Sequence, residues 1–338
     1  MKKIFILLGI ISITLLLGCE SDWYPIYEDW LCTINIDGSD LEYIRNSFGN
    51  FLLSPDRETL IEYTKNKFYS VSLNDLSSRT LLYDFGDDTD AIYQPVISNS
   101  IIAFSFHGEI YTFDIEDRDT TRLTYTSSPS NWRLAFSSDG NKIVYTTKIL
   151  DSLSTIVVMN SDGSSKHVIF EYNAVDSVNF TSSISIKNLR FVMNDEIILY
   201  SLYATSNINI PNGIYSILVN GSDNHCIVED IYPMYLTVSP NRDYILFADD
   251  GYIQRINADG TNHVLLGAAG NDFFDPSISP DGEKILFTYA DYPYIMDADG
   301  SDRYQVTDIH IGSFYHDQKE SFFINNYKIL LNLEKQIN

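Results

Sequence analysis

The stretch SISPDGEKILF, Ser277 to Phe287, recurs in altered form along the chain, and this repetition constrains the fold more than any other feature. Within it, Ser279-Pro280-Asp281-Gly282 fits a type I turn, because Ser suits the first position, Pro presets the second and Gly suits the last. Short apolar runs flank the turn on both sides. The stretch therefore predicts two short strands joined as a β-hairpin.

Six further segments share this plan: an apolar run, a polar turn, and a second apolar run that ends in a large residue. They are residues 52–63, 95–104, 134–145, 190–200, 236–247 and 322–331. The final residues of successive hairpins lie 41, 41, 55, 47, 40 and 44 positions apart. A period of about 40–45 residues made of short strands is typical of a β-propeller blade.

A second motif alternates with the first, with Gly after Asp or Asn between strand-like runs. It occurs in residues 35–40, 159–165, 219–224, 257–262 and 297–302, with degenerate forms at 72–78 and 114–120. Asp-Gly and Asn-Gly favour tight hairpin turns. The motif therefore predicts a second hairpin in each unit, so that each unit holds four strands, a to d.

Together the two motifs resemble the TolB-like β-propeller repeat, a WD40-like family also called PD40, in which SPDG precedes an apolar strand and a DG turn follows. The resemblance covers residues 31–333 and implies an all-β propeller that serves as a scaffold in the bacterial cell envelope. The Trp-Asp dipeptide of true WD40 repeats does not occur in the chain.

The two ends of the repeat region complement each other. The hairpin at 322–331 is followed by only seven residues, whereas residues 31–44 resemble a c–d hairpin with no a–b pair before it. We therefore predict seven four-stranded blades, with the last blade shared by N- and C-terminal strands, an arrangement that covers strand edges. Six blades, as in TolB, is the alternative.

The N-terminus has the pattern of an export signal. Lys2 and Lys3 precede an apolar run that is too short to span a membrane and ends in Leu16-Leu17-Gly18-Cys19, which resembles a lipoprotein lipobox. We expect a signal peptide over 1–18, lipid on Cys19, a tether over 19–30 and the propeller domain over 31–338. This predicts a membrane-anchored lipoprotein that faces the periplasm or the cell surface.

The net charge, the cysteines and the histidines argue against nucleic-acid binding, a disulfide framework and a metal site. The formal charge of −24, from 22 basic and 46 acidic residues, repels phosphate backbones, so we expect no nucleic-acid partner. Cys32 and Cys226 fall in distant blades, too far apart for a disulfide. His167, His225 and His263 each follow a turn motif and so have structural positions. We expect no metal or other cofactor, and residues 297–302 lack the bidentate Glu of an EF-hand calcium loop.

Length variation and aromatic residues point to one face of the disc. In a four-stranded blade the a–b and c–d turns share one face, and the b–c and d–a connections share the other. Insertions at 147–154, 171–187 and 204–213 all fall on the second face. Candidate ligand-binding residues just before the a strands are Tyr93, Trp132, Arg133, Tyr232, Tyr235, Asp272, Phe274 and Asp275.

The sequence shows no nucleophile elbow, phosphate-binding loop or zinc-helix motif. We therefore favour a non-enzymatic, monomeric scaffold that binds an envelope protein, peptide or glycan. The alternative is a propeller enzyme, of the polysaccharide lyase or glycosidase type, with acidic residues at the channel mouth. Two or three convergent carboxylates with raised pKa values would distinguish it.

Overall fold

The fold is seen in a computed structural model, and the residues described are 26–46, 50–54, 57–86, 90–126, 131–149, 153–173, 184–205, 208–268, 276–290, 292–309, 322–325 and 328–337. They form strands and turns arranged in seven antiparallel sheets of four strands each. This confirms the predicted seven-bladed β-propeller, and the six-bladed alternative is wrong. Among the described residues, no helix has the length and apolar character needed to span a bilayer.

The strands that close the ring come from both ends of the chain. They are β1 (Ile26–Asn35) and β2 (Glu42–Asn46), together with β27 (Phe322–Asn325) and β28 (Lys328–Ile337). The sheet order is β2-β1-β28-β27, and β1 pairs with β28 from Ile26↔Ile337 to Asn35↔Lys328. The shared last blade is therefore confirmed. Strand β1 begins within the segment expected to be a tether, so the closing strand is longer than predicted.

Blades 1 to 3 follow in chain order. Blade 1 comprises β3 (Asn50–Leu53), β4 (Leu60–Tyr63), β5 (Lys67–Ser72) and β6 (Asp75–Asp84). Blade 2 comprises β7 (Tyr93–Ser98), β8 (Ile101–Phe106), β9 (Glu109–Asp114) and β10 (Asp119–Arg122). Blade 3 comprises β11 (Asn131–Phe136), β12 (Lys142–Ile149), β13 (Leu153–Asn160) and β14 (His167–Asn173).

Blades 4 to 6 complete the series. Blade 4 comprises β15 (Ile184–Val192), β16 (Ile197–Ala204), β17 (Gly213–Leu218) and β18 (His225–Glu229). Blade 5 comprises β19 (Met234–Val238), β20 (Tyr244–Asp249), β21 (Tyr252–Asn257) and β22 (Val264–Ala268). Blade 6 comprises β23 (Ser277–Ile278), β24 (Lys284–Tyr289), β25 (Tyr292–Asp297) and β26 (Tyr304–Gln305). The first strands of neighbouring blades contact one another, so strand a is innermost and strand d outermost.

The face that carries the a–b and c–d turns is called the turn face, and the opposite face, with the b–c and d–a connections, is called the loop face. The recurring serine organises the a–b turn: the backbone N–H groups of Lys142 and Lys284 donate to the hydroxyls of Ser137 and Ser279, at 2.9 and 2.8 Å. Each hydroxyl in turn donates to the Asp two residues on, at 2.6 Å. The SPDG-like motif is therefore a self-contained turn.

The second recurring motif forms the c–d turn. The carboxylates of Asp162, Asp259 and Asp299 accept hydrogen bonds from the backbone N–H two residues later, at 2.8, 2.9 and 2.9 Å. The glycine that follows has a left-handed backbone; at Gly300 φ is +92°, and a Cβ would lie 2.7 Å from the carbonyl oxygen of Leu266. Gly is needed there because the turn of blade 6 presses against blade 5.

Seven apolar clusters form the core, and each one is shared by two neighbouring blades. The aromatic residues predicted to end the second strand of each hairpin lie inside the b strands and belong to these clusters; Phe104, Tyr200 and Phe247 are fully buried. Each blade is therefore held by its neighbours. At the closing interface, Arg45 of blade 7 and Arg79 of blade 1 form ion pairs with the buried carboxylate of Glu62.

Candidate functional site: the loop face

Four exposed tyrosines distinguish the loop face from the turn face. Tyr93, Tyr125, Tyr232 and Tyr252 are 42, 74, 62 and 42% exposed. Two lie in or beside d–a connections, one begins an a strand, and one begins a c strand after a b–c turn. Among described residues of the turn face, no phenylalanine or tyrosine side chain is comparably exposed. Exposed tyrosines combine an apolar ring with a polar tip and are enriched where proteins bind other molecules.

The innermost strands of blades 2 to 5 share a β-bulge near the loop face. In each bulge one residue has a left-handed backbone: φ is +49° at Gln94, +36° at Arg133, +54° at Asn188 and +53° at Tyr235. The register shifts fall at equivalent positions of the four blades, next to the pairs that strand a forms with Ser105, Thr146, Ser201 and Ala248 of strand b. Holding a non-glycine residue in this conformation costs about 1–3 kcal/mol.

These bulges repeat in backbone but differ in side chain. An amide (Gln94), a guanidinium (Arg133), a second amide (Asn188) and a phenol (Tyr235) occupy equivalent backbone positions on the four innermost strands. The fold therefore specifies the backbone at this level and leaves the side chain free to vary. Bulges of this kind are common beside functional sites because they redirect a side chain.

Blades 4 and 5 meet at a polar network on the loop face. The carbonyl oxygen of Pro233 accepts hydrogen bonds from the amide of Asn188, at 3.4 Å, and from the hydroxyl of Tyr203. The ammonium of Lys187 lies 5.0 Å from the centre of the Tyr203 ring. The centres of the Tyr203 and Tyr232 rings are 6.2 Å apart. The network fixes Tyr203 beneath the more exposed Tyr232.

The electrostatics at Tyr203 connect this network to blade 3. Burial raises the pKa of Tyr203 to about 12, while a hydrogen bond with Ser201 and the positive charge of Arg133 both act to lower it. Arg133 is thus close enough to Tyr203 for its charge to act there. The same strand end of blade 3 borders a cavity.

That cavity has a volume of about 210 Å³ and lies between blades 3 and 4. Arg133 and Lys148 line it with positive charge, and the remaining lining residues are Thr146, Thr147, Ser154, Ile184, Ser185 and Ile186. Ser154 donates a hydrogen bond to the carbonyl oxygen of Ile184, at 3.3 Å, and so joins the two blades across it. Among the described residues, no aspartate or glutamate belongs to this lining.

The insertions in blades 3 and 4 explain why the cavity exists. Residues 147–154 were expected to be a loop, but they lengthen β12 and β13, which pair as far as Ile149↔Leu153. Strands β15 and β16 are likewise extended and pair from Ile184↔Ala204. The two blades therefore rise above the repeat on the loop face, and their extensions form the cavity walls. The 204–213 insertion, in contrast, is a connection in its described residues between β16 and β17, and the side-chain oxygen of Asn212 accepts a hydrogen bond from the Ala204 N–H at 2.5 Å.

The predicted site residues fall into three groups. Tyr93, Arg133 and Tyr232 lie on the loop face at the positions given above. Tyr235 is there too, but its ring packs against the core shared by blades 5 and 6. Trp132 pairs with Thr146 through its backbone in β11; its side chain, Asp272, Phe274, Asp275 and the predicted lipid site Cys19 lie outside the described residues.

Sequence reasoning missed several residues of this site. Lys148 was counted as part of a loop, and Lys187 was treated as the end of an insertion. Tyr203, near the end of a b strand, and Tyr125, in the d–a connection before β11, were not among the predicted residues. A signal for Lys148 and Lys187 exists in retrospect, because both belong to the alternating strand patterns that extend blades 3 and 4.

The histidines of the d strands and the two cysteines occupy structural positions in the blades. His167 and His225 begin d strands as predicted, and the Nε2 of His167 lies 3.0 Å from the carbonyl oxygen of Val219 in the next blade. Cys32 and Cys226 are free thiols, as predicted. Among the described residues, no three His, Cys, Asp or Glu side chains form a group suited to a metal ion.

Acidic residues on the described surface are mostly engaged in turns. Wherever the structure shifts the pKa of a carboxyl group, the shift is downward, as at Asp139, where hydrogen bonds from Ser137 and the Asn141 N–H lower the pKa to about 2. Burial opposes the ionisation of Glu109, yet hydrogen bonds from Thr124, Thr126 and Arg122 lower its pKa. Near the loop face, Asp90 accepts from the His107 N–H at 2.6 Å. These carboxylates act as turn and connection acceptors.

The structure is a seven-bladed β-propeller, and its fold is similar to that of TolB proteins. It is similar to a putative TolB from Agrobacterium tumefaciens, with 14% identity, a TM-score of 0.52, and coverage of 92% of this chain and 100% of that one. It is also similar to an oligogalacturonate lyase from Vibrio parahaemolyticus, with 10% identity, a TM-score of 0.64, and coverage of 93% and 95%.

A further structure, an oligogalacturonate lyase in complex with manganese, shares 10% identity and a TM-score of 0.64, with 90% of each chain covered. At these identities the likeness concerns the fold alone. No protein-family model matches the chain, and no curated protein matches it.

Proposed function

We propose that this protein is a lipid-anchored propeller of the bacterial cell envelope that binds a protein, peptide or glycan on its loop face without transforming it. The observation that carries the proposal is the confinement of the four exposed tyrosines to that face. A rigid disc that varies its side chains at fixed backbone positions is suited to recognition, as are loops on other rigid scaffolds.

The anchor rests on the N-terminal sequence. The lipobox-like Leu16-Leu17-Gly18-Cys19 supports cleavage before Cys19 and acylation of its sulfur. Replacing Cys19 with Ser is expected to move the protein from the membrane fraction to the soluble fraction and to abolish labelling with a fatty-acid analogue. A variant that remains in the membrane fraction and carries the label would exclude this anchor.

An enzymatic function is the weaker candidate. Two lyases share the fold, but the described carboxyl groups with shifted pKa values are all lowered and serve as hydrogen-bond acceptors. A general acid needs the opposite, a raised pKa near the reacting bond. Binding therefore accounts for the loop face better than acid–base chemistry does.

The binding function is tested with a labelled Cys19→Ser protein on arrays of glycans and of peptides. Tyr232→Ala is expected to weaken binding to the captured ligand at least tenfold, because it removes the most exposed ring beside the Tyr203 network. The matched control is Leu265→Ala, a residue that is 59% exposed on the outer strand of the neighbouring blade 5 sheet. Binding that survives Tyr232→Ala and Tyr93→Ala but is lost in Asp299→Ala would place the site on the turn face instead.

A further inference from the structure

A carboxylate at the loop face of blade 5 holds the segment that carries an exposed tyrosine. Tyr232 lies in the connection from blade 4 to blade 5, and its backbone N–H donates to Oδ1 of Asp249 at 2.7 Å. Asp249 ends β20, so this bond joins the entry of strand a to the exit of strand b. Tyr232 is 62% exposed, whereas Asp249 is half-buried. The acceptor thus lies within the surface, and the ring that it supports is open to solvent.

The same carboxylate is adjacent to two further tyrosines of the loop face. Asp249 pairs with Tyr252 in the ladder between β20 and β21. Burial raises the pKa of Tyr203 to about 12, and the negative charge of Asp249 acts in the same direction. Its carboxylate is therefore close enough to Tyr203 for its charge to act there. One side chain thus connects Tyr203, Tyr232 and Tyr252.

Tyr232 is held at both its backbone and its ring. Asp249 fixes the backbone, and the ring lies beside that of Tyr203, with the two centres 6.2 Å apart. Tyr203 is itself fixed, because its hydroxyl donates to the carbonyl oxygen of Pro233. Ordering a mobile side chain on binding lowers affinity, and a ring that is already held avoids this cost.

Carboxylates support two other exposed tyrosines in the same way. Asp90, three residues before Tyr93, accepts from a backbone N–H of the b–c turn of blade 2 at 2.6 Å. Glu109 accepts from the backbone N–H of Thr126, the residue after Tyr125, at 2.6 Å. In all three bonds the donor and the acceptor lie 17 residues apart. The arrangement at Asp249 is therefore one instance of a recurring device.

We infer that Asp249 is a positioning residue of the loop-face binding surface and holds Tyr232 in the orientation that contacts a ligand. The inference rests on the proposed function, because it assigns a role to the residue behind the same contact surface. Asp249 acts through Tyr232 and does so by accepting a hydrogen bond. A neutral amide oxygen at this position would therefore replace the carboxylate, whereas a methyl group would not.

The first measurement needs no ligand. The Cys19→Ser protein is labelled with 3-fluorotyrosine, and the fluorine signal of Tyr232 is assigned by its loss in Tyr232→Phe. In Asp249→Ala we expect this signal to move towards that of free fluorotyrosine, because the ring leaves its place beside Tyr203. Asp249→Asn should keep the parent signal. Asp249→Val, which suits a strand, is studied alongside in case alanine destabilises the end of β20.

The matched control for this measurement is Asp243→Ala. It removes a carboxylate from the turn face of the same blade, where Asp243 accepts from the amide of Asn241 at 2.7 Å. The Tyr232 signal should not change in this variant. An unchanged Tyr232 signal in both Asp249→Ala and Asp249→Val would overturn the assignment, as would an equal change in the control.

The second measurement uses the array compound that the Cys19→Ser protein binds most tightly. Asp249→Ala is expected to weaken its binding about fivefold, less than Tyr232→Ala does, because the released ring must be ordered on binding. Combining the two substitutions should weaken binding no further than Tyr232→Ala alone, since Asp249 acts through that ring. Asp249→Asn should bind like the parent. An affinity as low in Asp249→Asn as in Asp249→Ala would show that the charge itself contacts the ligand, and the positioning role would be wrong.

The two measurements separate this inference from the proposed function. If binding depends on Tyr232 but Asp249→Ala changes neither the fluorine signal nor the affinity, the loop face binds a ligand and the role of Asp249 is wrong. If the signal moves but no array compound depends on Tyr232 or Tyr93, Asp249 does position the ring and the proposed function is wrong.

Discussion

The turn face and the loop face are built from the same seven blades, yet they use their polar groups in opposite ways. On the turn face, hydroxyls and carboxylates bind one another and the next blade. Asp195 of blade 4 accepts from the Ser138 N–H of blade 3 at 2.8 Å and from the Arg242 guanidinium of blade 5 at 2.9 Å. On the loop face, four tyrosines are exposed to solvent and a cavity lies between blades 3 and 4.

The difference shows that stability and recognition are assigned to opposite ends of the strands. The polar groups of each repeated turn form hydrogen bonds with one another, so the repeat motifs identify the turn face as the one that contributes to stability. Connections that depart from the repeat extend the strands of blades 3 and 4 and create a new surface. Changes on the turn face should therefore reduce stability, and changes on the loop face should reduce binding.

The largest expected effect comes from removing the ring closure, on which both faces depend. Deleting residues 26–46 leaves β27 and β28 as a two-stranded blade and exposes the edge of β28. We expect loss of cooperative folding, seen as the absence of a thermal transition by circular dichroism and as recovery in the insoluble fraction. A protein that begins at Trp30 is the control, because β2 pairs with β1 from Trp30 to Thr33 and should still complete the blade.

A smaller effect is expected from Asp195→Ala, which breaks the link among blades 3, 4 and 5 on the turn face. Arg242 and Ser138 lose their shared acceptor, and hydrogen bonds to a charged group contribute about 1.5–3 kcal/mol each. We expect the free energy of unfolding, measured with urea, to fall by about 2 kcal/mol while ligand affinity stays unchanged. Glu171→Ala, on an outer strand, should change it by less than about 0.5 kcal/mol. A loss of affinity in Asp195→Ala without a loss of stability would contradict the division between the faces.

The smallest expected effect is a pH-dependent change in stability that comes from Asp139. The pKa of Asp139 is lowered to about 2 by hydrogen bonds from Ser137 and from the Asn141 N–H. A carboxyl group whose folded-state pKa is depressed stabilises the fold above its unfolded value and loses that contribution as pH falls through the folded value. We therefore expect Asp139→Asn to have a slightly lower Tm than the parent at pH 6, and the gap to close as pH falls from about 4 to 2. A gap that widens on acidification would show that the carboxylate does not have this role.

The fold could be predicted from the sequence because its information is local and repeated. Ser279 to Gly282 specify their own turn, and seven copies in phase specify the ring, including the strands that the two ends share. The site could be predicted only in outline. The position of Tyr232 before an a strand indicated exposure correctly, but the same reasoning applied to Tyr235, whose ring packs into the core.

Two physical reasons account for what was missed. A bulge changes which face a side chain takes without changing residue types, so the sequence did not separate Arg133, which lines the cavity, from Tyr235, whose ring packs into the core. An insertion can lengthen two paired strands as readily as it can form a loop, and only pairing across 149–153 shows which has happened at Lys148. Both features depend on neighbouring strands, which a single sequence does not reveal.

The starting point of β1 has a consequence for how the disc sits in the envelope. Strand c of the closing blade begins with Ile26 at the loop face, the same face that we propose for binding, and Cys19 precedes Ile26 by seven residues. About seven residues, even fully extended, reach roughly 25 Å. If Cys19 carries lipid, this short segment holds the loop face close to the bilayer, and a ligand must reach that face through the narrow space between the protein and the membrane. The protein then samples a thin layer above the membrane, so molecules confined to that layer are encountered far more often than those in the bulk.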